Sequence, residues 1–156
     1  MSFISSIIVV EEIARSRKLY ENILHMKVTT DFGIDCIGFE GGLSLYRKVL
    51  FQELIGGQVD LNKHNNVVLF FEVDDLEELE KEISDNGFEF LHRIREQPWK
   101  QRVFRFYDYD NHVLEIAEKM DVVIHRLLQN GNSMEKISKL TGFSVDQVLK
   151  EIEKQK

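Results

Sequence analysis

Residues 3–10, FISSIIVV, are apolar and β-branched around two serines and predict a strand. The period then lengthens. From Glu11 to Leu24 the apolar residues Ile13, Leu19, Tyr20, Ile23 and Leu24 recur at helical spacings with charges between them. Short runs at 27–31, 35–39 and 43–47 predict three strands, broken by Gly33 and by the Gly41–Gly42 pair. Residues 49–55 predict a helical turn and 56–66 a polar loop. The order then starts again. Val67 to Val73 is an almost wholly apolar strand. Asp74 or Asp75 can cap a helix to about Asn86, with Leu76, Leu79 and Ile83 on one face and Gly87 as its stop. Phe88–Ile94, Arg102–Tyr107 and His112–Ala117 complete a second set of strands.

Strand, helix and three strands thus occur twice in residues 1–117, a repeat of architecture rather than of identity. The predicted fold is α+β: two βαβββ modules aligned edge to edge in one curved mixed sheet, with the helices on its convex side. The concave side is then a trough for a ligand. On the fifth strand, period-2 alternation sends Val67, Leu69, Phe71 and Val73 under the helix and Val68, Phe70 and Glu72 toward the trough. A strand apolar on both faces is covered on both, which points to a lined cavity or a dimer seam. Residues 118–156 read differently, as a helical extension. Helical patterns at 122–128, 134–140 and 145–152 are separated by Gly131-Asn132-Ser133 and Thr141-Gly142-Phe143-Ser144, where the serines are N-caps. Under forty residues is too little to bury a core of its own.

The hairpin at 104–118, FRFYDYDNHVLEIAE, places a carboxylate, Glu115, inside an apolar strand, opposite in facing to Leu114 and Ile116. It is either a ligand-binding carboxylate or a paired one. Arg105 falls across the hairpin from it and is expected to form a structural pair rather than an anion hook. Among the aromatics, Phe70 and Trp99 are candidates for stacking on a flat ligand. Alternation commits half of the set Phe70, Trp99, Phe104, Phe106 and Tyr107 to core. Of five histidines, His25 and His64 read as surface, His112 as a turn cap and His125 as tail. Only His92, on the sixth strand, is considered for a pocket, and the bland reading is preferred there too. No two histidines have ligand spacing with a carboxylate.

A net charge of −7 argues against a general nucleic-acid surface. The tail spacing looks like a helix–turn–helix. Its last segment, however, sets Gln147, Lys150 and Lys154 against Asp146, Glu151 and Glu153, a mixture ill suited to phosphates. A lid or docking piece is the preferred reading of the tail. The single cysteine, Cys36, excludes an internal disulfide and a cysteine-based zinc site; burial in its apolar run is expected to leave it inert. The opening residues carry no basic leader and their apolar run is too short to span a bilayer, so the expected location is cytoplasmic with no membrane partner.

Particular residues add a resemblance. Ile13-Ala14-Arg15-Ser16 followed by Leu19-Tyr20-Glu21-Asn22-Ile23-Leu24, and Phe71-Glu72-Val73-Asp74-Asp75-Leu76, resemble the two opening signatures of the glyoxalase / bleomycin-resistance / dioxygenase superfamily, the vicinal oxygen chelate proteins. Gln97-Pro98-Trp99-Lys100-Gln101-Arg102 resembles the family's PWG-x-R segment, and Asp108 to Glu115 its DPDGN-x-x-E ending. The resemblance covers nearly all of 1–117. Four such motifs in order are specific for fold, not for activity. Members with metal chemistry place histidines at positions matching Ser5 (Ser6 if the match slips by one) and Val68 here, and a carboxylate at Glu115. With one ligand of the usual set retained, the resemblance implies no metal and no catalytic residue. The leading expectation is a cofactor-free binding protein holding a small, partly apolar molecule in the trough, with Ser5, Val68, Phe70, Trp99, Arg105 and Glu115 as the site. Many members complete their trough from two chains, which implies a homodimer. Two alternatives stay open: a lyase or dioxygenase with a divalent metal on nonstandard ligands such as Glu115, His92 or Glu72, and a ligand-sensing regulator that uses the helical tail.

Overall fold

The computed structural model describes residues 1–153. Lys154, counted with the last helix in the sequence, lies outside the described residues. The chain forms two compact units: residues 1–67 with 107–113, and residues 68–106 with the chain from Leu114 onward. Among the described residues no helix is long and apolar enough to cross a membrane.

In the first unit, β1 (Ser6–Val10), β2 (Val28–Asp31), β3 (Cys36–Phe39) and β4 (Leu43–Arg47) form a sheet ordered β1-β4-β3-β2. β1 runs parallel to β4 and the other pairs are antiparallel. Alternation buries Ile8 and Val10, Ile37 and Phe39, and Leu43 and Leu45 together with the helix residues Ile13, Leu19, Tyr20 and Ile23. The opposite face carries Ile7, Cys36 and Ser44. Cys36 is half-buried rather than buried, and desolvation still raises its thiol pKa, which disfavours the reactive thiolate. Gly42 has φ +86 and its absent Cβ would approach the Ile4 carbonyl to 3.3 Å, so glycine lets β1 start on the Gly42 carbonyl. The helix α1 (Ile13–Arg17) continues as a π-helical stretch over Lys18–Ile23, closed by Leu24 N donating to Leu19 O at 2.8 Å. A further helix, α2 (Lys48–Ile55), follows β4.

In the second unit, β5 (Val68–Val73), β6 (Phe90–Glu96), β7 (Arg102–Tyr107) and β8 (Val113–Glu118) are ordered β5-β8-β7-β6. The α+β reading and the doubled βαβββ unit hold. The helix α3 (Leu76–Asp85) is capped by Asp75, whose Oδ1 accepts from Glu78 N at 2.8 Å. Leu76, Ile83, Phe104, Phe106, Leu114 and Ile116 are fully buried. Phe90 joins Phe104 and Phe106 with ring centroids 5.7 and 6.2 Å away. Val67 precedes β5 and is exposed, although alternation predicts it under the helix: the strand begins one residue later.

Three helices end the second unit: α4 (Met120–Gln129), α5 (Met134–Thr141) and α6 (Val145–Glu153). They share the buried side chains Val123, Ile124, Leu127, Ile137 and Val148. Ser144 and Gln147 bond reciprocally, Ser144 N to Gln147 Oε1 at 2.8 Å and Gln147 N to Ser144 Oγ at 3.2 Å, as a capping box at the start of α6. The buried carboxylate of Glu118 ties α4 to the sheet of the same unit. It accepts from Arg102 N and Nε, both at 2.9 Å, and from Arg126 Nη2. This supplies the support that so small a helical segment needs.

Candidate functional site

The outward face of the second sheet carries most of the residues named from sequence. On β5, exposure alternates, and Val68, Phe70 and Glu72 point away from the buried core. Phe70 keeps 54% of its surface exposed and Val68 46%, large apolar areas for a strand centre. The neighbouring strand β8 contributes Glu115, which is 9% exposed. Arg105, on β7, grips it: Nε and Nη2 both donate to Glu115 Oε2. This is the pair expected across the hairpin. The second carboxylate oxygen, Oε1, has no hydrogen-bond partner among the described residues.

A third residue completes the row. Two register shifts in β6 put His92 opposite Arg105, whereas Phe90 is opposite Phe106 and faces the core. A bulge adds a residue to one strand and so reverses the facing of the residues beyond it. Arg105 Nη1 donates to His92 Nε2 at 2.8 Å, and His92 Nδ1 donates to the Arg93 carbonyl, also at 2.8 Å. A guanidinium has no acceptor and a carbonyl no donor, so these two bonds fix His92 as the neutral Nδ1–H tautomer. Burial, with the charges of Arg95 and Arg105 behind it, holds the His92 pKa below its ordinary 6.5, against the opposing pull of the Arg93 carbonyl and Glu115. The unfolded chain then binds more protons than the folded one between the folded pKa and about pH 6.5. His92 therefore makes the fold less stable as pH falls from 6.5 toward its folded pKa. In urea unfolding at about pH 7 and about pH 5, the parent protein is expected to lose more stability than His92→Gln. Equal losses would show that His92 carries no part of the acid sensitivity.

The two remaining named residues are not on these strands. Trp99 is in the turn joining β6 to β7, 37% exposed, with Nε1 donating to Gln101 Oε1 at 2.9 Å. Ser5 belongs to the first unit, where its hydroxyl shares a 2.9 Å hydrogen bond with Ser44. At the positions where metal-bearing members of the resembled superfamily hold an ion, this chain offers a hydroxyl already bonded, an isopropyl group and a carboxylate oxygen held twice by arginine. That donor set does not fit a divalent ion, which takes about three or four nitrogen, oxygen or sulfur ligands. Among the described residues no three His, Cys, Asp or Glu side chains gather where they could hold one.

The first unit holds a polar network that sequence reasoning missed. Asp108 is buried and accepts four hydrogen bonds: Asp110 N and His112 N at 2.9 Å on Oδ1, Tyr20 OH at 2.7 Å and His112 Nδ1 at 2.9 Å on Oδ2. Asp110, also buried, accepts from Arg15 Nη2 at 2.7 Å, Glu11 N at 3.1 Å and Ser16 Oγ at 3.4 Å. Desolvation raises the Asp110 pKa, and only in part do the Glu11 amide and Arg15 offset it. The helix signature Arg15-Ser16 with Tyr20 and the turn signature Asp108 to Asp110 are thus two halves of one constellation. Each was visible in the sequence; their contact was not. His112, expected as a turn cap, closes the turn through its backbone and its ring.

Residues 3–121 match the model of the glyoxalase-like domain. A protein of unknown function from Agrobacterium tumefaciens str. C58 is similar at 32% identity and TM-score 0.68, over 76% of this chain and 94% of that one. A glyoxalase-related enzyme from Fulvimarina pelagi is 17% identical, with TM-score 0.66 over 77% and 89%. The genomically encoded fosfomycin resistance protein FosX from Listeria monocytogenes is 18% identical, with TM-score 0.56 over 76% and 92%. The last two share the fold alone. No curated protein matches.

Proposed function

The chain belongs to the glyoxalase-like domain family, and within that family we propose that it is a metal-free binding protein for a small, partly apolar molecule. The ligand lies against the outward face of the second sheet. Phe70 and Val68 supply the apolar contact, Trp99 is a further stacking surface, and Glu115 Oε1 accepts from a ligand amine or hydroxyl. The single observation that carries this reading is the arrangement on that face: exposed Phe70 beside a strand whose carboxylate is anchored through one oxygen and open at the other. Arg105 is spent on Glu115 and His92, so the site favours a donor over an anion. In this reading the protein works as a homodimer, as the family resemblance implies. The exposure of Phe3, Ile4 and Ile7 at and just before β1, three large apolar side chains, is in keeping with a second chain covering them.

A planar aromatic amine, 9-aminoacridine, tests the site by fluorescence titration. Phe70→Ala removes an exposed ring and is expected to leave the fold intact while weakening binding about tenfold. Unchanged affinity in Phe70→Ala would sink the reading. Stoichiometric zinc, nickel, manganese or iron in the purified protein, lost in Glu115→Gln, would instead support a metal-dependent enzyme.

A further inference from the structure

We propose that the first unit carries a second small-molecule site, a cavity of about 110 Å³ bounded by residues 60–62 and 64–67 and the turn residues Asp110, Asn111 and His112. Its ligand is a small neutral molecule bearing hydroxyl groups, and His112 Nε2 accepts one of their protons in a hydrogen bond.

The chemistry starts from Asp108. A carboxylate receiving four donors is itself acceptor-only, so His112 must carry its proton on Nδ1. In the neutral ring Nε2 is then an unprotonated acceptor on the edge away from that bond. The His112 side chain is 20% exposed and lines the cavity. A buried carboxylate that fixes an imidazole tautomer and orientation is how proteins prepare a histidine to take a hydrogen bond or a proton. Asp108 is the positioning residue here, and His112 the group that meets the ligand.

The other cavity groups set the ligand class. Asn65 Oδ1 accepts from Tyr107 OH at 2.8 Å, and Asn111 Nδ2 donates to Leu61 O at 2.6 Å. Each amide therefore has its other end, the Asn65 NH₂ and the Asn111 carbonyl oxygen, for a ligand. Asp110 is compensated by Arg15, and Asp60 lies 3.5 Å from His64. Asp60, the lining carboxylate outside an arginine pair, is 56% exposed and screened by water, so the lining does not call for an ion. One imidazole acceptor, one amide donor and one amide acceptor complement hydroxyl groups, each of which gives and takes a hydrogen bond. The volume equals roughly four waters at about 30 Å³ each, the room that a three-carbon polyol displaces.

Glycerol is the probe, titrated into protein labelled with ¹⁵N and ¹³C at histidine and asparagine. His112 is expected in the Nδ1–H tautomer, with a saturable shift of its ring resonances. His112→Gln keeps a side chain able to donate to Asp108. Asn65→Gly suits the left-handed backbone at this position, φ +54, and removes the amide. Each variant is expected to weaken glycerol binding about tenfold, read from a second reporter, the Asn111 side-chain amide. An Nε2–H tautomer, a shift linear in glycerol concentration, or equal affinity in both variants would overturn the proposal.

Discussion

Asp108→Ala is expected to lower the unfolding free energy by about 4 kcal/mol, measured by urea denaturation followed by far-ultraviolet circular dichroism. The substitution strips the acceptor from four donors at once. The costliest is Tyr20, whose ring and hydroxyl are wholly buried. A buried hydroxyl without a partner costs about 1–3 kcal/mol, and the two turn amides and the His112 ring add about 1 kcal/mol or less each. Asp108→Asn keeps an oxygen for the turn amides but cannot serve both Tyr20 and His112, so about half the loss is expected. Tyr20→Phe removes one donor from a carboxylate that retains three, and about 1 kcal/mol is expected. The order is the test: Asp108→Ala no worse than Tyr20→Phe would mean that the network does not organise this unit. Burial, ahead of the Asp108 charge, raises the Tyr20 pKa well above its ordinary 10.0. Its contribution is therefore complete below pH 10 and fades as pH rises from there through the folded pKa. Tyr20→Phe should flatten that alkaline loss.

Period and turn chemistry carried most of the fold. The two βαβββ units, the Asp75 cap and the helices of the tail all stand within a few residues of their predicted bounds. Arg105–Glu115 was legible for a simple reason. Asp108 N donates to His112 O at 3.0 Å, and three residues further along each strand the same register brings 105 opposite 115. The misses have equally specific causes. Alternation assumes an unbroken ladder, and the irregularities in β6 on either side of His92 break it, so His92 met Arg105 without any sign in the sequence. The π-helical stretch at Lys18–Ile23 contains no glycine or proline to mark it, yet that stretch carries Tyr20, the residue bonded to Asp108. The Asp108 network joins residues 88 positions apart, and no local pattern encodes such a contact.

Arg105→Met is expected to cost about 3 kcal/mol at neutral pH, for a reason that also separates structure from function at the second sheet. The substitution leaves the Glu115 carboxylate, with 12% of its side chain exposed, in a site it entered as half of an ion pair. Leaving one partner buried and charged is the expensive change; replacing both is not. The double variant Arg105→Met with Glu115→Leu is expected to return to within about 1 kcal/mol of the parent, giving a coupling energy of about 2 kcal/mol or more in the cycle. His92 loses its donor in both backgrounds and so cancels. If the pair serves the fold alone, the restored double variant should also bind 9-aminoacridine normally. If Glu115 Oε1 is the polar contact of the ligand site, the double variant is stable and yet binds the amine about tenfold more weakly, while the uncharged parent ring acridine is held as before. A recovered fold with lost amine discrimination is the expected result. Full recovery of both would reduce Glu115 to a strut for Arg105.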